Sequence, residues 1–291
     1  YYNRDTKDLL YNRPISATTG FLNYLANIGQ LNNKGVEFEL RTINFASPDF
    51  NWTSVLNLTH NRNKIVTLDG DMTQSIEGSW FIHKIGLPYN SFYVKEFAGV
   101  DPMTGKALYY LNTQDEQGNY NKEKTDDASK AQAIPYKSAD PKISGGFTNI
   151  ISYKWFDLGL TFTYSLGGYS FDKTGTLIET DGSQEKSYNL PVYALDRWQK
   201  PGDITTMKDI RDRNVTTGAS SRFVQKNNTL QWSSLTMSYN FRPEQLKKLH
   251  LSGLRLSFTM NDLFYWSTIR QERGLDYPYS RSFNLTTNII F

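Results

Sequence analysis

The amino-acid sequence predicts an all-β fold: an antiparallel portion of a transmembrane β-barrel, with short turns on one side and long loops on the other. Three observations support this fold class. Apolar and polar residues alternate with a period of two over several segments of about ten residues. The connections between these segments alternate in length along the chain. Aromatic residues gather near the segment ends, where a barrel places its interfacial girdles.

The clearest segment is WFDLGLTFTYSL, residues 155–166. Every even-numbered position in it is apolar or aromatic, and the odd-numbered positions from 157 to 165 are Asp, Gly, Thr, Thr and Ser. A β-strand places these two sets on opposite faces. Six further segments show the alternation: GVEFELR (35–41), NWTSVLNLTHN (51–61), SGGFTNIISYK (144–154), LTMSYNF (235–241), LRLSFTMN (254–261) and SFNLTTNIIF (282–291).

The connections divide into two classes. Short ones lie at 46–50, 154–155 and 242–253, and long ones cover about 10–33, 67–142, 171–228 and 263–281. If the strands run up and down, all short turns fall on one side and all long loops on the other. This assignment is self-consistent over about eight strands, and an added pair near 92–99 and 107–111 would bring it to about ten. In an outer-membrane barrel, the short turns are periplasmic and the long loops extracellular.

A soluble β-sandwich is the alternative, because it is also built from alternating strands. Its strands usually have about 5 or 6 residues, whereas 156–166 and 282–291 run longer. Sandwich loops also show no systematic long and short sides. The pattern therefore favours the barrel.

Composition excludes several classes of protein. The chain has 291 residues and no cysteine, so neither disulfides nor thiolate metal sites are expected. Lys and Arg number 32 against 29 Asp and Glu, a balance that gives no electrostatic case for nucleic acid. No two of the three histidines have metal-ligand spacing, and no G-x-S-x-G elbow is present. We therefore expect no metal site, no catalytic residues and no enzymatic activity.

Several motifs occur in a fixed order along the chain: YYNRDTKDLLYNRPISATTGF (1–21), ANIGQLNNKGVEFEL (26–40), GLPYNSFYVKEFAGVDPMTGKALYY (86–110), DPKISGGFTNIISYKWFDLGLTFTYSLGG (140–168), DRWQKPGDITTM (196–207), SSRFVQKNNTLQWSSLTMSYNF (220–241) and LRLSFTMNDLFYW (254–266). In this order they resemble the C-terminal barrel portion of SusC/RagA-like TonB-dependent transporters from Bacteroidetes outer membranes. The resemblance covers essentially all of residues 1–291.

The resemblance implies a barrel of about 22 strands in the outer membrane of a Gram-negative bacterium. The family imports large nutrients, mainly oligosaccharides and in some members peptides. Its implied partners are a SusD-like surface lipoprotein that closes the mouth, the TonB complex, the barrel-assembly machinery and the lipid membrane. The family's plug domain and TonB box have no counterpart in residues 1–291, so we expect TonB to act through a part that this chain lacks.

One region departs from the resemblance. Many relatives carry an acidic, calcium-loop-like stretch after the G-V-D-P motif, and the matching region here reads LNTQDEQGNYNKEKTDD (111–127). It lacks the terminal bidentate carboxylate of an EF-hand loop. Calcium is therefore not expected, and no other cofactor is predicted.

The pattern also predicts which residues are functional. Aromatic and polar side chains on the long-loop side could stack on sugars or grip peptide side chains, or could pack loops against one another. The substrate-binding candidates are Trp80, Phe81, Tyr89, Trp198, Arg270, Tyr277 and Tyr279. The predicted lumen-facing residues are Glu37, Glu39, Arg41, Thr161, Thr163, Arg255 and Asn261. The resemblance further assigns Phe291 as a barrel-assembly signal.

Two other function classes stay open at this point. A passive porin or a scaffold barrel would lack TonB coupling, and an upstream plug and TonB box would exclude it. A soluble carbohydrate-binding β-module would not need detergent for extraction.

Overall fold

The computed structural model of the protein describes residues 1–8, 10–21, 23–27, 29–68, 74–77, 80–179, 181, 189–212, 217–218, 220–247, 250–269 and 280–291. Strands dominate these ranges. In chain order they are β1 (Tyr2–Thr6), β2 (Leu10–Pro14), β3 (Asn23–Asn27), β4 (Gly29–Ala46), β5 (Phe50–Leu68), β6 (Gln74–Glu77), β7 (Phe81–Lys84), β8 (Ser91–Lys95), β9 (Phe97–Val100), β10 (Ala107–Tyr110), β11 (Lys124–Thr125), β12 (Ala133–Ser138), β13 (Ile143–Tyr153), β14 (Phe156–Phe171), β15 (Val224–Asn240), β16 (Gly253–Ser267) and β17 (Ser282–Ile290).

Helices are short and few in the described ranges. The α-helices are α1 (Lys173–Glu179) and α2 (Pro243–Leu246), and 3₁₀ turns span Ala17–Thr19, Val192–Asp196 and Ser221–Phe223. None of these described helices has the length and apolar character to cross a membrane.

Eight of the described strands form one antiparallel sheet, which we call the wall. Its order is β1-β4-β5-β13-β14-β15-β16-β17, so each wall strand pairs with the next wall strand along the chain. This up-and-down order is the one predicted from the alternating segments. The pairing extends across the sheet and is interrupted by a few bulges: for example, Phe147 lies opposite Phe162, which lies opposite Trp232 beside one such bulge.

The two sides of the wall differ as predicted. Residues 47–49 join β4 to β5, residues 154–155 join β13 to β14, and residues 241–252, which contain α2, join β15 to β16. The connections on the other side run from β1 to β4, from β5 to β13, from β14 to β15 and from β16 to β17, and they are much longer. Two of them, the β5–β13 and β14–β15 connections, pack against each other, for example through the Trp198–Pro102 hydrogen bond, and their described parts form a second structural unit, which we call the loop layer.

The prediction of an added pair of wall strands near 92–99 and 107–111 is wrong. β8, β9 and β10 lie in two small sheets of the loop layer, with orders β12-β8-β7-β6 and β11-β10-β9. The physical reason is visible in β8, where the adjacent residues Ser91 and Phe92 are 4% and 2% exposed. Both faces of this strand are therefore covered by protein, which a lipid-facing wall strand does not allow.

The loop layer has its own hydrophobic clusters. Phe92 and Val94 pack with Val224, the first residue of β15, and this contact ties the layer to the top of the wall. A second cluster contains Ala107, Tyr109 and Ala131. The wall, in contrast, carries large apolar side chains that are exposed on one face of the sheet.

Glycine is required at position 145 of the wall. A Cβ on Gly145 would lie 2.1 Å from the carbonyl oxygen of Asn57. The space beside Gly145 is occupied by the Tyr164 ring, whose hydroxyl donates a hydrogen bond to that same carbonyl at 2.8 Å. An aromatic ring laid across a glycine fixes the register of neighbouring strands.

Candidate functional site

The wall has an apolar face and a polar face, and the contrast between them defines the candidate site. Cross-strand partners share a face, so the register assigns each paired wall residue to one side. The apolar face carries exposed large side chains. Examples are Phe38 (50% exposed), Phe156 (59%), Met237 (45%) and Leu285 (73%). A soluble protein rarely leaves so continuous an apolar surface uncovered.

The height of the apolar face matches a membrane. On β14 it extends from Phe156 to Leu166, ten residue steps of about 3.4 Å each. At a strand tilt of about 40°, this span corresponds to about 26 Å along the barrel axis, close to the apolar band of about 25 Å in outer-membrane barrels.

The apolar face contains a polar cluster near the short turns, and its members satisfy one another. The Ser54 hydroxyl donates to Asn149 Oδ1 at 2.7 Å, and Trp52 Nε1 donates to the same oxygen at 2.9 Å. Asn44 Nδ2 donates to Ser54 Oγ at 2.6 Å. Ser54 and Asn149 are only 9% and 8% exposed, as a lipid-facing surface requires of polar groups.

All seven predicted lumen-facing residues lie together on the polar face. Thr59 pairs with both Glu37 and Ser144, and Ser234 pairs with both Thr161 and Asn261. The members of this set are Glu37, Glu39, Arg41, Thr161, Thr163, Arg255 and Asn261. Their assignment to one polar side agrees with the register, and their contact with a lumen stays a prediction.

Hydroxyl and amide groups form rows across the polar face. Thr163 and Ser233 are 2.8 Å apart, Ser238 donates to Ser257 at 2.9 Å, and Asn261 Nδ2 donates to Ser282 at 3.0 Å. Such a surface is lined by groups that exchange hydrogen bonds readily with water or a polar ligand. It can therefore line a hydrated passage.

Asp157 organises the short-turn end of the polar face. Its oxygens accept hydrogen bonds from Ser152 Oγ at 2.7 Å and Asn240 Nδ2 at 3.0 Å. Arg255 forms an ion pair with it at 3.2 Å. The sequence prediction included Arg255 and missed Asp157, although both residues lie at the alternating positions that form the polar face of their strands.

The aromatic substrate candidates lie in the loop layer and pack against it. Trp80 stacks on Phe171 with ring centroids 4.0 Å apart, and Phe81 stacks on Phe92 at 5.0 Å. Tyr89 stacks on His83 at 4.2 Å. All three candidates remain partly exposed. Their rings thus serve loop packing while part of each surface stays open.

Trp198, another substrate-binding candidate, is buried in the loop layer. It is 5% exposed, and its Nε1 donates to the Pro102 carbonyl at 2.8 Å. Gly105 approaches the indole so closely that a Cβ there would lie 2.5 Å from it. These contacts make Trp198 a structural residue of the loop layer. The candidates Arg270, Tyr277 and Tyr279 lie outside the described residues.

A buried charge cluster holds α1 against the start of β15. Arg222 forms ion pairs with Glu179 at 2.5 Å and Asp181 at 3.0 Å, and its side chain is 7% exposed. Asp181 also accepts hydrogen bonds from the Thr217 backbone N–H and hydroxyl at 2.6 and 2.8 Å. Burial raises the pKa of Glu179 above its ordinary value, and the charge of Arg222 opposes part of that rise.

A cavity of about 360 Å³ opens beside this cluster. Phe97, Tyr193, Asp196, Thr205 and Arg222 are among its lining residues. Burial and the neighbouring Glu179 raise the pKa of the Tyr193 hydroxyl to about 12, which keeps it a hydrogen-bond donor at neutral pH. Aromatic walls with a few charged and hydroxyl groups are typical of small-ligand sites.

Phe291 and the calcium-loop region complete the predicted sites. Phe291 follows β17 and is 89% exposed. In the region matched to calcium loops, Asp115 accepts hydrogen bonds from the Asn119 backbone N–H at 2.8 Å and from its side-chain amide at 3.1 Å. Asp115 thus stabilises a local turn.

Comparison with known proteins gives consistent relatives, although no family model matches the chain. TonB-dependent receptor P3 from Formosa agariphila is 29% identical over 301 residues, covering 96% of this chain and 28% of the relative. TonB-dependent receptor SusC from Bacteroides thetaiotaomicron is 31% identical over 183 residues, covering 58% of this chain and 17% of SusC.

The RagAB peptide transporter is similar in structure, with a TM-score of 0.83 and 24% sequence identity, over 99% of this chain and 32% of the matched chain. This similarity shows that the two share a fold. The chain therefore spans about a third or less of the length of the proteins it matches.

Proposed function

We propose that this chain, a homologue of SusC/RagA-like TonB-dependent receptors, forms part of the barrel wall of an outer-membrane importer of large nutrients. The observation that carries the proposal is the two-sided wall. Its apolar face is exposed over about the height of a membrane, and its polar face is lined by hydrogen-bonding groups. The relatives named TonB-dependent receptors support energy-coupled import.

In this proposal, substrate passes along the polar face. Glu37, Glu39 and Arg41 lie on it towards one edge of the wall, and Arg255 and Asn261 lie towards the other. Charged and hydroxyl groups on this surface compensate the hydration that a polar solute loses on entering the passage. The proposed substrates are oligosaccharides or peptides, both of which carry many hydrogen-bonding groups.

The loop layer is the proposed place of first contact with substrate. It lies on the long-loop side, and Trp80, Phe81 and Tyr89 in it are partly exposed. The cavity beside Tyr193 and Arg222 offers aromatic, hydroxyl and charged groups together. A SusD-like lipoprotein would close this side, and a TonB complex would act through parts beyond the wall. The proposal contains no enzymatic step, because the similar proteins are named receptors and transporters.

Uptake by living cells tests this proposal. Cells with and without the protein would be given fluorescent oligosaccharides or fluorescent peptides, before and after an uncoupler collapses the proton gradient. We expect uptake of one substrate class to require both the protein and the gradient. Protein-dependent uptake that persists with the uncoupler would contradict energy coupling and would establish a passive barrel instead.

A further inference from the structure

A strip of basic residues lies directly above the apolar face on the long-loop side. Val36 and Phe38, at the top of the apolar face of β4, are 47% and 50% exposed. Two residues further along the same face stands Lys34, about 7 Å away along the strand. Lys34 lies opposite Arg62 of β5, and Lys64 follows on the same face. We call Lys34, Arg62 and Lys64 the basic strip.

The basic strip is electrostatically unfavourable by itself. Like charges directly opposite each other on neighbouring strands destabilise a sheet, and Lys34 and Arg62 are such a pair. Within the described residues, no member of the strip forms an ion pair. Asp5 shares this face, and it accepts a hydrogen bond from Asn32 at 2.7 Å. An anion bound from outside would relieve the repulsion.

A cavity of about 550 Å³ adjoins the strip. It is lined by cationic or titratable groups of both the wall and the loop layer, namely His60, Arg62, Lys137 and Lys142. Its carboxylate, Asp140, is already engaged, since it accepts hydrogen bonds from Asn63 at 2.7 Å and Asn90 at 2.6 Å. The cavity therefore presents several positive groups, while the oxygens of its carboxylate already accept hydrogen bonds from neighbouring amides.

We propose that the basic strip and the adjoining cavity bind the phosphate groups of a glycolipid in the outer leaflet, whose acyl chains lie against the apolar face. This inference rests on the proposed function, because it requires the apolar face to contact lipid. The position of the strip favours a lipid over a free anion. Phosphates attached to acyl chains sit at the edge of the hydrocarbon layer, which is where the last exposed apolar residues give way to Lys34 and Arg62.

The chemistry of the strip also suits phosphate. Arg62 offers a planar fork that can donate two parallel hydrogen bonds to phosphate oxygens. Lys34 on the neighbouring strand and Lys64, two residues along β5, each add an ammonium group. Because the lipid lies at the boundary of a low-dielectric region, these charges are screened less than they would be in open water.

Lipid binding by the purified full-length protein tests the assignment. The protein in detergent micelles would be titrated with bisphosphorylated lipid A, with the same lipid after enzymatic removal of its phosphates, and with inorganic phosphate. Native mass spectrometry would count the bound molecules. The double variant Lys34→Gln/Arg62→Gln removes the repelling pair. Lys200→Gln/Lys247→Gln removes two exposed charges elsewhere and serves as the matched control.

We expect the wild-type protein and the control to bind bisphosphorylated lipid A at least about tenfold more tightly than the Lys34→Gln/Arg62→Gln variant does. The dephosphorylated lipid should not distinguish the proteins. Equal affinity of all three proteins for bisphosphorylated lipid A would overturn the proposal. Displacement of lipid A by inorganic phosphate at a similar concentration would overturn the choice of a lipid as the ligand.

Heat-modifiable migration on a denaturing gel separates this inference from the proposed function. Wild-type protein that does not migrate as a folded barrel would overturn the proposed function, and the lipid assignment with it. A folded barrel that binds both forms of lipid A equally would overturn the lipid assignment alone.

Discussion

At the scale of single residues, Gly145 is held as glycine by its neighbours on two strands. A Cβ there would lie 2.1 Å from the Asn57 carbonyl oxygen and 2.6 Å from the Tyr164 hydroxyl. The carbonyl belongs to the backbone of β5, so it cannot move aside without breaking the pairing of β5 with β13. The constraint therefore acts on strand register.

We predict that Gly145→Ala destabilises the folded protein by roughly 3 kcal/mol, because the added methyl group separates two wall strands. Gly159→Ala is the matched control. Its Cβ would meet nothing closer than 3.8 Å, at Thr236, so it should fold with nearly wild-type stability. Urea unfolding of the protein refolded into lipid vesicles measures both. A Gly145→Ala variant as stable as Gly159→Ala would refute the predicted clash.

The Tyr164 hydroxyl supplies a second contact at this place. Tyr164→Phe keeps the ring over Gly145 and removes only the hydrogen bond to Asn57, so we predict a loss of about 0.5–1.5 kcal/mol. Tyr153→Phe is the control, because the Tyr153 hydroxyl forms no hydrogen bond within the described residues. The same unfolding measurement applies. If the two variants lose equal stability, the hydrogen bond contributes nothing specific.

At the scale of structural elements, the Arg222 cluster ties α1 and the start of β15 together. A buried charge that loses its partner is far more costly than an exposed one. Arg222→Met leaves the buried carboxylates of Glu179 and Asp181 without their cationic partner. We predict that it lowers the local free energy of opening by about 3–5 kcal/mol. Amide hydrogen exchange in 173–181 and 220–225 measures this opening.

Arg211→Met provides the comparison for that experiment. Arg211 is 74% exposed and pairs with Asp209, whose side chain is 14% exposed, and an ion pair whose cation is open to water contributes little because water screens it. Exchange in the loop layer should therefore hardly change in this variant. Equal loosening by both substitutions would show that the Arg222 cluster does not act as a buried unit.

Glu179 gives the cluster a pH dependence. Burial raises its pKa in the folded protein above the unfolded value, so the folded state binds this proton more tightly. The stabilising contribution is fully present below the unfolded pKa of about 4.5 and is lost as the pH rises through the folded pKa. We predict that Glu179→Gln flattens this decline. The measurement is the local opening free energy from hydrogen exchange, corrected for the intrinsic pH dependence of exchange. An unchanged pH profile in Glu179→Gln would contradict the assignment.

Sequence reasoning located the wall strands because a period of two depends only on neighbouring residues. It placed their boundaries too narrowly. β4 begins at Gly29 and β15 at Val224, whereas the predicted long connections before them run to about 33 and 228, because alternation fades where a strand extends beyond the apolar band. The predicted pair at 92–99 and 107–111 failed for a related reason, since β8 is covered on both faces.

The candidate site was predictable in part. The alternation of apolar and polar residues along each strand was enough to place Glu37, Thr161 and Arg255 on one face. The burial of Trp198 depends on Pro102, which is 96 residues away in sequence, and no local pattern reveals such a contact. The basic strip was missed because Lys34 and Arg62 come together only through the pairing of β4 with β5.

At the scale of the whole molecule, the wall is an open sheet. Within the described residues, β1 pairs only with β4 and β17 only with β16, which leaves two edges with unpaired backbone groups. In lipid, each such group costs several kcal/mol. The wall therefore requires further strands at both edges to be stable in a membrane, in agreement with its coverage of about a third of the matched RagAB chain.

The central claim is that the apolar face of the wall contacts lipid and the polar face contacts water. Residues 1–291 contain no cysteine, so a cysteine introduced into β14 is unique within this part of the protein and makes a direct measurement possible. Single cysteines at positions 157 to 165 of β14 would carry spin labels in the protein reconstituted into lipid vesicles. Electron paramagnetic resonance would report collisions with oxygen, which concentrates in lipid, and with a water-soluble nickel complex. We predict a period of two, with labels at 158, 160, 162 and 164 exposed to oxygen and those at 157, 159, 161, 163 and 165 exposed to nickel. Even-numbered labels shielded from both reagents would show that protein covers the apolar face, and would contradict the membrane wall.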